Sequence, residues 1–131
     1  MGEADERGAN LVEFALVAML LLLLLAGVVD LGRAFHSYIV ITNASREGAR
    51  YGSHFPNDLA GIVAAVQQEA NASGVSIAAG DVGVTVPNPA HSGDTLSVQV
   101  THHFRPIMIG VLGMNSITMQ RTTAMVVFGF D

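Results

Sequence analysis

Glu13 is the residue whose type and position most clearly ask for chemistry. It lies near the start of an otherwise uncharged apolar segment, residues 11–29, and five residues beyond a small-residue Gly8-Ala9 junction. An unpaired charge in hydrocarbon costs several kcal/mol, so a lone carboxylate there is pushed to the membrane surface, protonated or paired. The nearest conceivable partner is a free amino terminus created by cutting after Gly8. That cut would leave an ammonium on Ala9, and in a helical stack of subunits the Glu13 carboxylate of one copy would meet the Ala9 ammonium of its neighbour. Stranding either member of such a buried pair costs about 3–5 kcal/mol. Without the cut, Glu13 instead snorkels to the headgroups of an intact anchor.

A second group lies at residues 43–52. Arg46, Glu47 and Arg50 can form a charged face, with Glu47 and Arg50 at an i,i+3 step worth only about 0.2–0.5 kcal/mol if exposed. Ala44, Gly48 and Gly52 recur every four residues, a spacing that lets another element approach a helix closely. A glycine in a helix forfeits about 1 kcal/mol of propensity, which favours a packing role for this stripe over a solvated one. The arginines would then bridge to the head of the same chain or to an adjacent subunit.

The remaining candidates amount to little. His102 and His103 are adjacent, so on a strand they point to opposite faces and cannot easily share one ion. They read as one core-facing and one exposed imidazole. There is no G-x-S-x-G elbow, phosphate-cradling glycine loop or pair of acids, so no catalytic residue, metal site or cofactor is expected. Asn43-Ala-Ser45 and Asn71-Ala-Ser73 match a glycosylation pattern too short to carry weight. Met108, Met114, Met119 and Met125 read as core filler.

Composition agrees with an assembling or membrane protein. The chain has 131 residues, 50% of them hydrophobic and only 13% charged, with no cysteine and a net charge of −5. Its six basic residues are all arginines and are scattered, which argues against a nucleic-acid surface. Residues 11–29 approach the ~20 needed to cross a bilayer core. The acidic flank (Glu3, Asp5, Glu6), the length of the run and the absence of an A-x-A site favour a retained helix over a removed signal peptide. Arg33, Arg46 and Arg50 follow the run and only Arg7 precedes it, so a naive positive-inside count opposes an outward domain.

These residues need a long helix to position them. No proline occurs until Pro56, and Phe35, Tyr38, Ile39 and Thr42 recur at helical steps, so one helix is expected over 9–53. At ~1.5 Å per residue it spans about 65 Å, roughly twice a bilayer core, and its second half must protrude. Pro56 pushes Phe55 out of helical geometry and ends it. Asn57 or Asp58 can then cap a second helix with Leu59, Ile62, Val63 and Val66 on its apolar face, stopped by 71–74. Alternation at Val82, Val84 and Val86, and from Leu96 to Phe104, predicts two strands joined by a hairpin loop at 87–93. An apolar loop or short turn over 106–115 leads to a third strand at 116–128. The expected class is α+β: a long N-terminal helix, a short second helix, and a three-stranded antiparallel sheet on the outer half of the long helix.

The motifs Gly8-Ala9 with Val12-Glu13-Phe14-Ala15-Leu16, Asp30-Leu31-Gly32-Arg33-Ala34-Phe35, and Asn43-Ala44-Ser45-Arg46-Glu47-Gly48-Ala49-Arg50-Tyr51 together resemble the TadE-like family. Those are pilin-like membrane proteins, or pseudopilins, of tight-adherence secretion and pilus systems. The resemblance is close over 7–52 and extends to the sheet region only in general layout. It implies a leader at 1–8 removed by a prepilin peptidase, with Gly8 its last residue and Ala9 the new N-terminus. Glu13 would be the fifth-position glutamate, paired with a neighbour's Ala9, and Phe14 would join the helix packing. It further implies a single-pass precursor in the inner or cytoplasmic membrane, with the head, 54–131, outside the cytoplasm. The expected partners are other pilin-like subunits, the prepilin peptidase, the membrane and the secretion platform, and the role is structural rather than enzymatic, as a minor or a principal subunit. The competing reading is an uncleaved single-pass anchor whose sheet domain binds a partner.

Overall fold

The computed structural model describes residues 2–111, 113 and 115–128, with side chains from Arg7 onward apart from Ile109 and Val111. Met1 of the expected leader, Leu112 and Met114 of the connecting loop, and 129–131 of the head lie outside the described residues.

Helix α1, Gly2–His54, runs 53 residues without a break. It continues through Gly8-Ala9, the helical run that follows outweighing the propensity that Gly8 forfeits. Pro56 stops it as expected: the last helical bond is Phe55 N–H to the Tyr51 carbonyl, 3.0 Å. Helix α2, Leu59–Ala72, begins at Asp58, whose Oδ1 accepts the Gly61 amide at 2.9 Å. Gly74, at φ +76°, closes it, and the Val75 amide turns back to the Ala70 carbonyl.

A 3-10 turn, Ala79–Asp81, leads into strand β1, Val82–Thr85, followed by β2, Thr95–Phe104, the short helix α3, Ile107–Val111, and β3, Ile117–Val126. The antiparallel order is β1-β2-β3, with Val98 opposite both Val84 and Thr123. β1 ends one residue before Val86.

The sheet lies along residues 30–53 of α1. Leu96 reaches Gly52, Val98 reaches Gly48, Thr123 reaches Ser45, and Phe104 sits by Arg33. Val40, Ile41 and Ala44 of α1, Ile62 and Val66 of α2, and Leu96, Val98 and Val100 of β2 form the core. Alternation in β2 buries one face as anticipated, while β3 turns Met119, Arg121, Thr123 and Met125 half-buried toward the helix.

One face differs from expectation. On α2 the contact runs through Ile62, Val66 and Ala70 at four-residue steps, leaving Leu59 exposed and Val63 half-buried. On α1 the head covers Ser37, Val40, Ile41, Ala44 and Ser45, so Phe35 and Ile39 face outward and Tyr38 lies at the edge of the covered face. The small and β-branched residues let the sheet approach, which the larger aromatic stripe would prevent.

Candidate assembly and membrane interface

From Leu11 to Leu25 nearly every side chain of α1 is exposed, Phe14 at 72%. Burying one such side chain is worth about 1.5–3 kcal/mol, so a run of them left in water would outweigh the stability of a small domain. Hydrocarbon or another subunit must cover it. The helix is long and apolar enough to cross a membrane, with a mean hydropathy of 2.8 over its best 18 residues. Ala9 and Glu13 are both exposed on this bare part of α1, one helical turn apart, where a second chain or a lipid headgroup can reach them. Phe14 follows on the same uncovered stretch.

Ala44, Gly48 and Gly52 sit on the opposite, covered half of the helix, and what they admit is the chain's own head. A Cβ at Gly48 would lie 2.5 Å from Val66 Cγ2 and 3.2 Å from Val98 Cγ1. One at Gly52 would lie 2.9 Å from Leu96 and 3.0 Å from Ile62. α1, α2 and β2 therefore converge on this stripe, and its neighbours are side chains of the same molecule. Arg50 pairs with Glu47, its Nε 2.9 Å from Oε2, while Arg46 is exposed. Arg50 holds the Glu47 carboxyl below its usual range. With Arg50 at the surface the pair stabilises little.

Residues 8–50 match the model of the TadE-like protein family. The TadE-like segment thus begins at Gly8, beside Ala9, and ends within α1; the strands lie outside it. No curated protein and no solved structure matches the chain. The match covers about a third of the chain and lies wholly on the helix that is long and apolar enough to cross a membrane.

Within the TadE-like segment, Asp30 is the residue that reasoning from sequence left without a role. It is buried, and its carboxylate accepts the Ile107 amide at 2.9 Å, the Met108 amide at 2.8 Å and Arg33 Nη1 at 3.0 Å. It thereby satisfies two of the amides that the first turn of α3 leaves open. The signal that finds it is the one that found Glu13: a lone acid at the edge of an apolar run needs a partner. Arg33 also lies over the Phe104 ring, 5.3 Å from its centre, and Arg121 lies at the same distance over Tyr38. Ser45 donates to the Thr42 carbonyl, 2.9 Å, so it accepts from Thr123 Oγ1 at 2.7 Å. These ties fasten the head to the TadE-like helix by short polar contacts.

The far end of α1 is held through Tyr51, whose hydroxyl donates to Asp58 Oδ2 at 2.8 Å. The Gly61 amide and this hydroxyl keep the Asp58 carboxyl below its usual range, and the same contact raises Tyr51. His102 is half-buried and His103 exposed; burial, and secondarily the neighbouring His103, lower His102. No group of three metal-ligating side chains occurs among the described residues.

Proposed function

We propose that the chain is a structural subunit of a type IV-related, tight-adherence filament or of its assembly machinery. It is inserted in the inner or cytoplasmic membrane through residues 11–29, cut between Gly8 and Ala9, and packed through its N-terminal helix. The observation that carries this reading is the division of α1. Residues 30–53 are occupied by the chain's own head, whereas 11–29, inside the TadE-like match, are covered by nothing in the chain that could make them stable in water. Leu31, Phe35 and Ile39 continue an exposed apolar stripe past Asp30 on the side the head leaves open, a surface suited to a neighbour's helix.

Cutting after Gly8 makes the Ala9 ammonium that Glu13 lacks in the uncut chain, which couples maturation to assembly. The head follows as a domain of more than ~60 residues, a length at which export is largely independent of flanking charge, so the arginines after the run do not bar an extracytoplasmic head. The prepilin peptidase and the secretion platform are the partners this route requires.

The test is the N-terminal residue of the mature protein by mass spectrometry, together with electron microscopy of sheared surface fractions. Ala9 at the terminus and filaments containing this chain are expected. An intact leader with recovery only in membranes would instead identify an uncleaved anchor. Glu13→Gln should leave insertion and cutting intact while reducing incorporation into filaments by about tenfold or more, the scale of losing a paired buried charge.

A further inference from the structure

We infer that α3 is a second membrane contact, a short apolar element lying in the boundary between headgroups and acyl chains beside the end of the spanning run. The inference rests on the reading of residues 11–29 as membrane-spanning and adds a surface that the spanning run does not contain.

The level of α3 along the helix is fixed by three contacts. The Ile107 and Met108 amides reach the Asp30 carboxylate at 2.9 and 2.8 Å, and Met108 Sδ comes within 3.1 Å of where a Cβ on Gly27 would stand. Met108 is therefore level with a residue inside the apolar run, so whatever surrounds Gly27 also reaches α3. The sequence of α3 is Ile-Met-Ile-Gly-Val, without a charged or hydrogen-bonding side chain, and Ile107 is 54% exposed.

Several polar groups at its start have partners within the chain. Pro106 has no amide hydrogen, the next two amides are taken by Asp30, and the Gly110 amide reaches the Pro106 carbonyl at 3.2 Å. Backbone groups left open in a water-poor boundary are expensive, whereas at a wet surface water would serve them. The charge of Asp30 is matched by Arg33, and exposed Arg105 lies just before Pro106 at the head of the element, where its guanidinium suits anionic phosphate headgroups. Continuity with the spanning run, apolar composition and cationic flank select a lipid surface as the occupant.

The experiment uses the full-length chain, one copy per nanodisc, in phosphatidylethanolamine and phosphatidylglycerol carrying a photoactivatable diazirine high on the acyl chain. One copy per disc removes other subunits as a shield. Lipid adducts are mapped by mass spectrometry to 11–29, 106–111 and 57–73, the last being α2 and its cap at the far end of α1. Adducts on 11–29 and on 106–111, the latter roughly tenfold above 57–73, are expected for an element lying in the boundary region. Ile107→Asp, at an exposed position, should reduce the yield at 106–111 without changing that at 11–29. Adducts confined to 11–29, or labelling of 106–111 no higher than that of 57–73, would overturn the inference while leaving the spanning reading standing. Absence of adducts from 11–29 would sink the spanning reading and the inference with it.

Discussion

Gly48 and Gly32 belong to one helix and differ in what surrounds them. A methyl group at position 48 would press to 2.5 Å from Val66, whereas at position 32 nothing lies within 4 Å. Replacing either glycine by alanine gains about 1 kcal/mol of helix propensity. At Gly48 this gain is set against overpacking of about 1–3 kcal/mol, and at so short a distance the packing loss prevails. Gly48→Ala should therefore lower stability and Gly32→Ala should match or exceed the parent, as read from denaturant midpoints in one detergent. Gly48→Leu should abolish the folded head. A Gly48→Leu chain that unfolds with the parent's midpoint would refute the three-way convergence at this residue. The four-residue spacing of Ala44, Gly48 and Gly52 was readable as a packing stripe. That its partner is the chain's own head was not, because a small-residue repeat states closeness without naming the neighbour.

Among the elements, those with a strong local period were legible: α1 and its stop at Pro56, α2 with its cap narrowed to Asn57 or Asp58, and the alternation of β2. The role of α3 was not, since its tie to Asp30 joins residues 77 apart in sequence. Periodicity carries no information about such a contact. Asp30→Ala should release α3, seen as faster hydrogen exchange at the Ile107 and Met108 amides with α2 unchanged; unaltered exchange would show that Asp30 does not hold the element. The cap of α2 gives a pH-dependent counterpart. The Asp58 carboxyl is held below its ordinary value of 3.8 by the Gly61 amide and the Tyr51 hydroxyl. A lowered carboxylate pKa contributes stability that is complete above the unfolded value and is lost as pH falls through the folded one. Exchange protection of the Gly61 amide should thus be flat at neutral pH and fall below about pH 4. In Asp58→Asn that acid inflection should vanish; its persistence would assign it to another group.

The molecule as a whole divides at Asp30 into a bare apolar part and a part that carries the core. Every buried apolar residue of the described chain lies at Val40 or beyond, so removing residues 1–29 takes away no core side chain, though it does remove the approach of Gly27 to Met108. What remains keeps the glycine stripe, the Ser45–Thr123 and Tyr51–Asp58 ties, and the complete sheet. The truncated chain is expected to be soluble without detergent, monomeric by sedimentation, and cooperative in thermal unfolding. The full chain should require detergent or lipid, because its exposed run from Leu11 onward remains. If truncation instead gives a molten or aggregated head, residues 11–29 stabilise the fold as well as anchoring it, and the division at Asp30 fails. If the truncated head folds but filaments no longer form in cells expressing it in place of the parent, the two halves of α1 carry separable tasks: one builds the subunit, and the other joins it to membrane and neighbours.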